Sequence, residues 1–214
     1  MMKIKVIMLM VSLIMLSSCI QDTINKFEHF TVQLPIFFKT DYNSKSVPDT
    51  SIDFTNLYEY KEYNDNKGKI DAAEVYQINY RIDSLVLENG LPFDPNEDDL
   101  SFDSVSFMLK FARPLPGKSE YSTNPEDFEP DPNSKLYILG KYKNVKVKDY
   151  YKTAYNIIQV PEENAFAISE GLRHTPYFYI YSQYSFVTGK YPNEVVFPFV
   201  RAKYDLVVRL KVKL

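Results

Sequence analysis

Apolar side chains fall on alternate positions in several stretches of the chain, and that period marks strands with one buried and one solvated face. From Ala73 the clearest run sets Tyr76, Ile78, Tyr80 and Ile82 against Gln77, Asn79, Arg81 and Asp83. The apolar set then passes from even to odd numbers at Leu85 and Leu87, which one inserted residue near Asp83-Ser84, a β-bulge, would reconcile. Asp103 to Ala112 repeats the pattern, with Val105, Phe107, Leu109 and Phe111 on one side and Ser104, Ser106 and Lys110 on the other. The closing stretch, Phe199 to Leu214, alternates Tyr204, Leu206, Val208, Leu210, Val212 and Leu214 with Asp205, Arg209, Lys211 and Lys213. Further strands are expected at Phe30 to Phe38, Leu136 to Gly140, Lys143 to Val147 and Tyr177 to Val187. Pro35 lacks a ladder donor, so the first of these is expected at an edge or a bend.

Helical spacing is confined to short segments. Phe54, Leu57, Tyr58 and Lys61 share one face behind Asp53 as a candidate N-cap. Tyr151, Ala154, Tyr155 and Ile158 do the same within Asp149 to Gln159, and Pro161-Glu162-Glu163 with Gly171 frames a third by start and stop signals. Between Arg113 and Lys135 five prolines and several acids interrupt any period, which predicts a long irregular loop. The fold expected from this order is mainly β: an antiparallel β-sandwich of seven to nine strands with one or two short helices in connections, the alternative being a closed β-barrel.

The first residues break the pattern. Lys3 and Lys5 precede an apolar run from Val6 to Leu16, the layout of an export signal, and the run is shorter than the roughly 20 residues a membrane span needs. Leu16-Ser17-Ser18-Cys19 follows at once and contains the only cysteine. This tetrapeptide resembles the lipobox of bacterial lipoproteins. The resemblance implies cleavage before Cys19, diacylglycerol on its thiol and an acylated amino group, with residues 1–18 as signal peptide. Two or three acyl chains hold a domain on a membrane where one would only visit it. Ile20 stands where many proteobacterial lipoproteins retained in the inner membrane carry aspartate, so the resemblance favours the outer membrane. Residues 19–29 then read as a lipidated tether and 30–214 as a single domain.

Composition narrows what that domain does. With 28 acidic against 25 basic residues, two of the latter in the leader, the surface offers no electrostatic reason to bind nucleic acid. No cysteine remains after Cys19, so the fold stands without an internal disulfide on a core rich in 18 Tyr and 15 Phe. The two histidines, His29 and His174, exclude a zinc site of Cys/His type and a three-histidine site. No nucleophile elbow, phosphate loop or dinucleotide fingerprint is present, and no cofactor or enzymatic activity is expected. Asp94, Asn96 and Asp98 have the spacing of a calcium loop, but the glycine position is Asp99 and the bidentate glutamate position is Val105, so a solvated acidic turn is expected there. Glu126, Asp127, Glu129 and Asp131 are expected to repel one another and hold their loop extended.

Two features remain as candidate contact surfaces. In Tyr177-Phe178-Tyr179-Ile180-Tyr181 the three tyrosines share one strand face, able to stack on sugars or a partner and equally able to pack across the sheet. Arg201, Lys203, Arg209, Lys211 and Lys213 line one side of the closing strand, as a stripe for acidic partners or as charges guarding a sheet edge. The functional expectation is a lipid-anchored cell-envelope module that binds a protein or glycan or serves structurally. A carrier of lipid or another apolar ligand is the first alternative, and a hydrolase of a different type the second.

Overall fold

The computed structural model describes residues 29–42, 49–87, 90–153, 156–158, 160–189 and 199–214. The expected signal peptide, Cys19 and the expected tether as far as residue 28 lie outside the described residues. Among the described residues, nine strands run in the order β1 (His29–Tyr42), β2 (Asp49–Asn56), β3 (Ile70–Val86), β4 (Leu100–Pro114), β5 (Phe128–Pro130), β6 (Tyr137–Lys146), β7 (Asn156–Ile158), β8 (Tyr177–Gly189) and β9 (Phe199–Lys213). Two helices, α1 (Lys61–Asn66) and α2 (Glu162–His174), lie in connections. Sheet A has the order β1-β9-β3-β7, and sheet B the order β2-β8-β4, where β4 also pairs β6 and, at its end, β5. All of these pairings are antiparallel. The two sheets face each other as a sandwich and do not close into a barrel.

The inward faces follow from the alternation. Val200, Ala202, Tyr204, Leu206, Val208, Leu210 and Val212 of β9 are buried, as are Val105, Phe107, Leu109 and Phe111 of β4 and Phe178, Ile180 and Tyr184 of β8. Aromatic rings fill the space between the sheets: Phe38 stacks on Tyr204 at 4.8 Å, and Phe107 meets Tyr204 at 5.3 Å and Tyr80 at 5.5 Å. Tyrosine carries a hydroxyl that must find a partner when buried. Tyr184 donates to Tyr80 at 2.8 Å, and Tyr204 donates to the Asp53 carboxylate at 2.5 Å, so each bond crosses from one sheet to the other.

The bulge expected near Asp83 is present, since the β3–β9 register shifts between Ile82 and Ser84 and returns Leu85 to the core. A second shift, between Val75 and Gln77, was not visible in the pattern. It puts Ala73 and Val75 inside and turns Tyr76 out, 44% exposed, where the Arg209 guanidinium lies 3.4 Å from its ring centre. Among the described residues β1, with Pro35 near its middle, pairs only with β9 and is an edge strand as expected.

Several expectations are corrected. The closing strand is not an edge: β9 lies between β1 and β3, so its charges guard no free ladder. Three of them form cross-strand ion pairs instead, Arg209 with Glu74 at 3.2 Å, Lys213 with Asp71 at 3.1 Å, and Lys203 with Asp83. Asp53 and Phe54 belong to strand β2, not to a helix. Asn56 is the cap instead, its side chain accepting from Tyr58 N at the head of a single turn, Leu57–Glu59, with α1 beyond it. The helix expected over Asp149 to Gln159 is also absent from the described part. Val147–Asp149 forms one tight turn, Ile82 N donates to Tyr150 O, Lys152 N donates back to Ile82 O, and β7 follows as a strand. Leu136–Gly140 and Lys143–Val147 merge into β6.

α2 starts after Pro161 as expected but continues a turn beyond Gly171, to His174. Gly171 serves packing: a Cβ there would sit 2.1 Å from the Phe111 ring. With Ile168 and Leu172 buried, the helix covers the early part of β3 and touches β6, which closes one side of the sandwich. Among the described residues no helix is long and apolar enough to cross a membrane.

Candidate binding face

The outer side of sheet B carries the candidate tyrosines. Residues directly opposite in an antiparallel ladder share a face, and the register aligns Ile52 of β2, Tyr181 of β8, Met108 of β4 and Ile138 of β6 in one transverse row. Ile52 is 57% and Ile138 42% exposed, with Tyr181 and Met108 half-buried between them. The next row is Phe54, Tyr179 and Lys110. On the other side the surface turns polar, with Thr50, Gln183, Ser106 and Lys141 in line.

The three tyrosines therefore have different surroundings. Tyr179 is tilted against Phe54 at 5.2 Å, and its hydroxyl donates to the Phe128 carbonyl at 3.0 Å and the Pro125 carbonyl at 3.4 Å. Tyr177 packs on Phe128 at 5.2 Å, and Phe128 is itself buried against Phe54. Burial pushes the ionisation of Tyr177 and Tyr179 upward, so both stay neutral hydroxyls. Tyr181 belongs to the row itself, between Ile52 and Met108, with its ring 6.5 Å from that of Tyr179.

The cover over Tyr177 and Tyr179 comes from the segment expected to be irregular. Two of its acids are paired rather than mutually repelling: Asp127 accepts from Ser122 Oγ at 2.5 Å and pairs with Lys118 at 2.7 Å, and Glu129 pairs with Arg113 at 2.6 Å. The Lys118 and Ser122 bonds hold the Asp127 carboxyl below the usual carboxylate range. Buried Asn56 donates to the carbonyls of Glu120 and Ser122 at 2.7 and 2.9 Å, and Asp131 N donates to Phe111 O at 2.9 Å. These bonds fasten the segment to both β2 and β4.

Among the described residues no three of His, Cys, Asp and Glu gather as ligands for a metal ion. His29 contacts Asp71 at 3.3 Å at one end of sheet A, and His174 is exposed at the end of α2. At the acidic turn, the Asp94 carboxylate accepts from Asn96 N at 2.9 Å and Asp98 accepts from Asp94 N at 2.8 Å, so two of the candidate ligands cap the turn itself. Tyr80, Val105, Phe107, Tyr142, Val145 and Tyr150 line a partly open recess of about 10 Å³, room for a single water.

Fold and face together define an antiparallel β-sandwich with one mixed aromatic and aliphatic outer surface. No protein family and no curated protein matches the chain. Among solved structures it is similar to the decameric BFDV capsid protein, at 10% identity and a TM-score of 0.33, covering 85% of this chain and 98% of that one. Desmodium yellow mottle tymovirus gives 10% identity, a TM-score of 0.26 and coverage of 87% and 89%. Turnip yellow mosaic virus gives 9%, 0.28, and 86% and 95%.

Proposed function

We propose that this chain is a lipid-anchored cell-envelope protein, held through Cys19, whose sandwich presents the outer face of sheet B to a protein partner. The observation that carries the anchoring is the lipobox-like Leu16-Ser17-Ser18-Cys19 directly behind a basic, apolar leader. The outer membrane is the favoured address because Ile20 follows the cysteine.

The Ile52–Tyr181–Met108–Ile138 row supports the binding role. Ile52 and Ile138 are exposed at the two ends of this row with Tyr181 and Met108 half-buried between them, and apolar surface patches mark contact sites. A protein partner is favoured over a glycan because sugar stacking needs open aromatic faces, and two of the three tyrosines are covered by Phe128 and its neighbours. Ile and Met suit an apolar protein side chain. Photo-crosslinking from position 52 or 138 in intact cells tests this. A protein adduct that vanishes when Tyr181 is changed to Ser supports the reading; adducts to glycan alone, or none, overturn it.

A further inference from the structure

Met108 is the only methionine beyond the leader, the others being Met1, Met2, Met8, Met10 and Met15. It stands on the outer face of sheet B in an interior strand, with Tyr181 of β8 opposite on one side and Ile138 of β6 on the other. The β4–β6 register shifts between Phe107 and Met108, so Leu139 turns fully into the core while Ile138 stays out, 42% exposed. A bulge re-aims the side chains around it. Here it sets an exposed isoleucine opposite the methionine.

Met108 lies outside the core. Its chain neighbours Phe107 and Leu109 are fully buried and face inward, while Met108 is half-buried on the outer side. Ser106 and Lys110 lie two residues away on the same face, and Lys141 stands in the row next to it. Each carries a hydrogen-bond donor. An oxygen added to the Met108 sulfur therefore has donors and water on its side of the sheet while the face is free, and loses the water once a partner covers it.

The added oxygen comes from a peroxide. The sulfur lone pair attacks one peroxide oxygen, the O–O bond breaks as the S–O bond forms, and a proton shift releases the other oxygen of hydrogen peroxide as water. Sulfur gives up two electrons and the peroxide takes them. The sulfoxide side chain is polar where the thioether was apolar, and methionine sulfoxide reductases reverse the change.

We infer that Met108 is a modification site: oxygen transfer from hydrogen peroxide to its sulfur makes the centre of the Ile52–Tyr181–Met108–Ile138 row polar and releases the protein partner, with the fold left intact. This inference rests on the reading of that row as a contact surface, and its test separates the two.

Full-length, lipidated protein with a photoreactive residue at position 52 is purified, treated with hydrogen peroxide, freed of oxidant with catalase and mixed with envelopes from cells lacking the protein, so that the partner never meets peroxide. The peptide holding residue 108 is expected to gain one oxygen, and the thermal midpoint to stay within about 2 °C of the untreated protein. The yield of the protein adduct is expected to fall at least about tenfold, the effect of burying one unmatched polar group. Methionine sulfoxide reductase restores the adduct, which assigns the loss to Met108 and not to the sulfur of Cys19. A residue 108 left unoxidised by peroxide that oxidises free N-acetylmethionine overturns the site. An undiminished adduct from protein oxidised at Met108, or a loss that tracks a falling midpoint, overturns the switch and leaves the contact surface standing. No adduct from the untreated protein overturns the contact surface, and the inference with it.

Discussion

The Tyr184 hydroxyl donates to the Tyr80 hydroxyl at 2.8 Å, and the bond ties β8 of sheet B to β3 of sheet A through the middle of an aromatic core. Burial drives Tyr80 strongly toward its neutral form, the form that can take part in such a bond. Removing one hydroxyl leaves the other buried without its partner, which costs about 1–3 kcal/mol, whereas removing both is far milder. Urea unfolding is therefore expected to show Tyr184→Phe less stable than wild type by that amount and the Tyr80→Phe/Tyr184→Phe pair less affected than the single change. A double variant worse than the single one would contradict the pairing.

Gly171 sits inside α2 with its α-carbon against the Phe111 ring. Alanine in a helix interior is ordinarily better than glycine by about 1 kcal/mol. Here the added methyl would lie 2.1 Å from a buried ring that has little room to move. Overpacking of that kind costs about 1–3 kcal/mol, so Gly171→Ala is expected to lower the thermal midpoint. Gly68→Ala, with nothing within 4 Å of the new methyl, is expected to leave it nearly unchanged.

Two carboxylates on the outer side of sheet A respond to acid in opposite senses. Burial works to raise Asp83, but Lys203 and Arg81 outweigh it and hold the carboxyl below its usual range. Its stabilising contribution is present above the unfolded carboxylate value and is lost as pH falls through the lowered folded value. Asp205 is raised by burial, with Arg81 and Lys203 only partly opposing, so it favours the folded state when protonated and loses that contribution as pH rises through its raised value. Thermal melts from pH 7 to pH 3 are expected to show Asp83→Asn losing stability at pH 7 and converging on wild type in acid. Asp205→Asn is expected to gain at pH 7.

Asn56 ties the covering segment to β2 through the carbonyls of Glu120 and Ser122. In Asn56→Ala those two carbonyls lose their donors, and the segment that shields Tyr177 and Tyr179 is expected to open. Hydrogen exchange should report faster amides over 115–130 with little change in β9. Unchanged exchange in that window would mean that the pairing of β5 alone holds the cover.

How much of this was legible in the sequence depended on distance. The Asp83 bulge was readable because a change of parity is a local signal. The bulge at Tyr76 was not, because tyrosine counts as apolar in an alternating pattern yet lies comfortably on the surface beneath Arg209. β9 reads the same whether it is an edge or a middle strand: alternation reports the two faces of a strand and is silent about its ladder neighbours. The apparent helix at 149–159 rested on apolar residues that happen to fall three and four apart, and the bonds that decide otherwise reach back to Ile82. The row of tyrosines at 177, 179 and 181 was visible as a shared face. What covers two of them comes from about fifty residues away and carries no periodic mark.

The central claim is the proposed anchor, because it would fix where everything beyond it is held. The mass of the N-terminal peptide of the protein isolated from its own cells tests it most directly. The account predicts a mature chain beginning at Cys19 with diacylglycerol on the sulfur, and complete loss of that mass shift and of membrane association in Cys19→Ser. A chain cut at another residue, with Cys19 present as a free thiol, would contradict it.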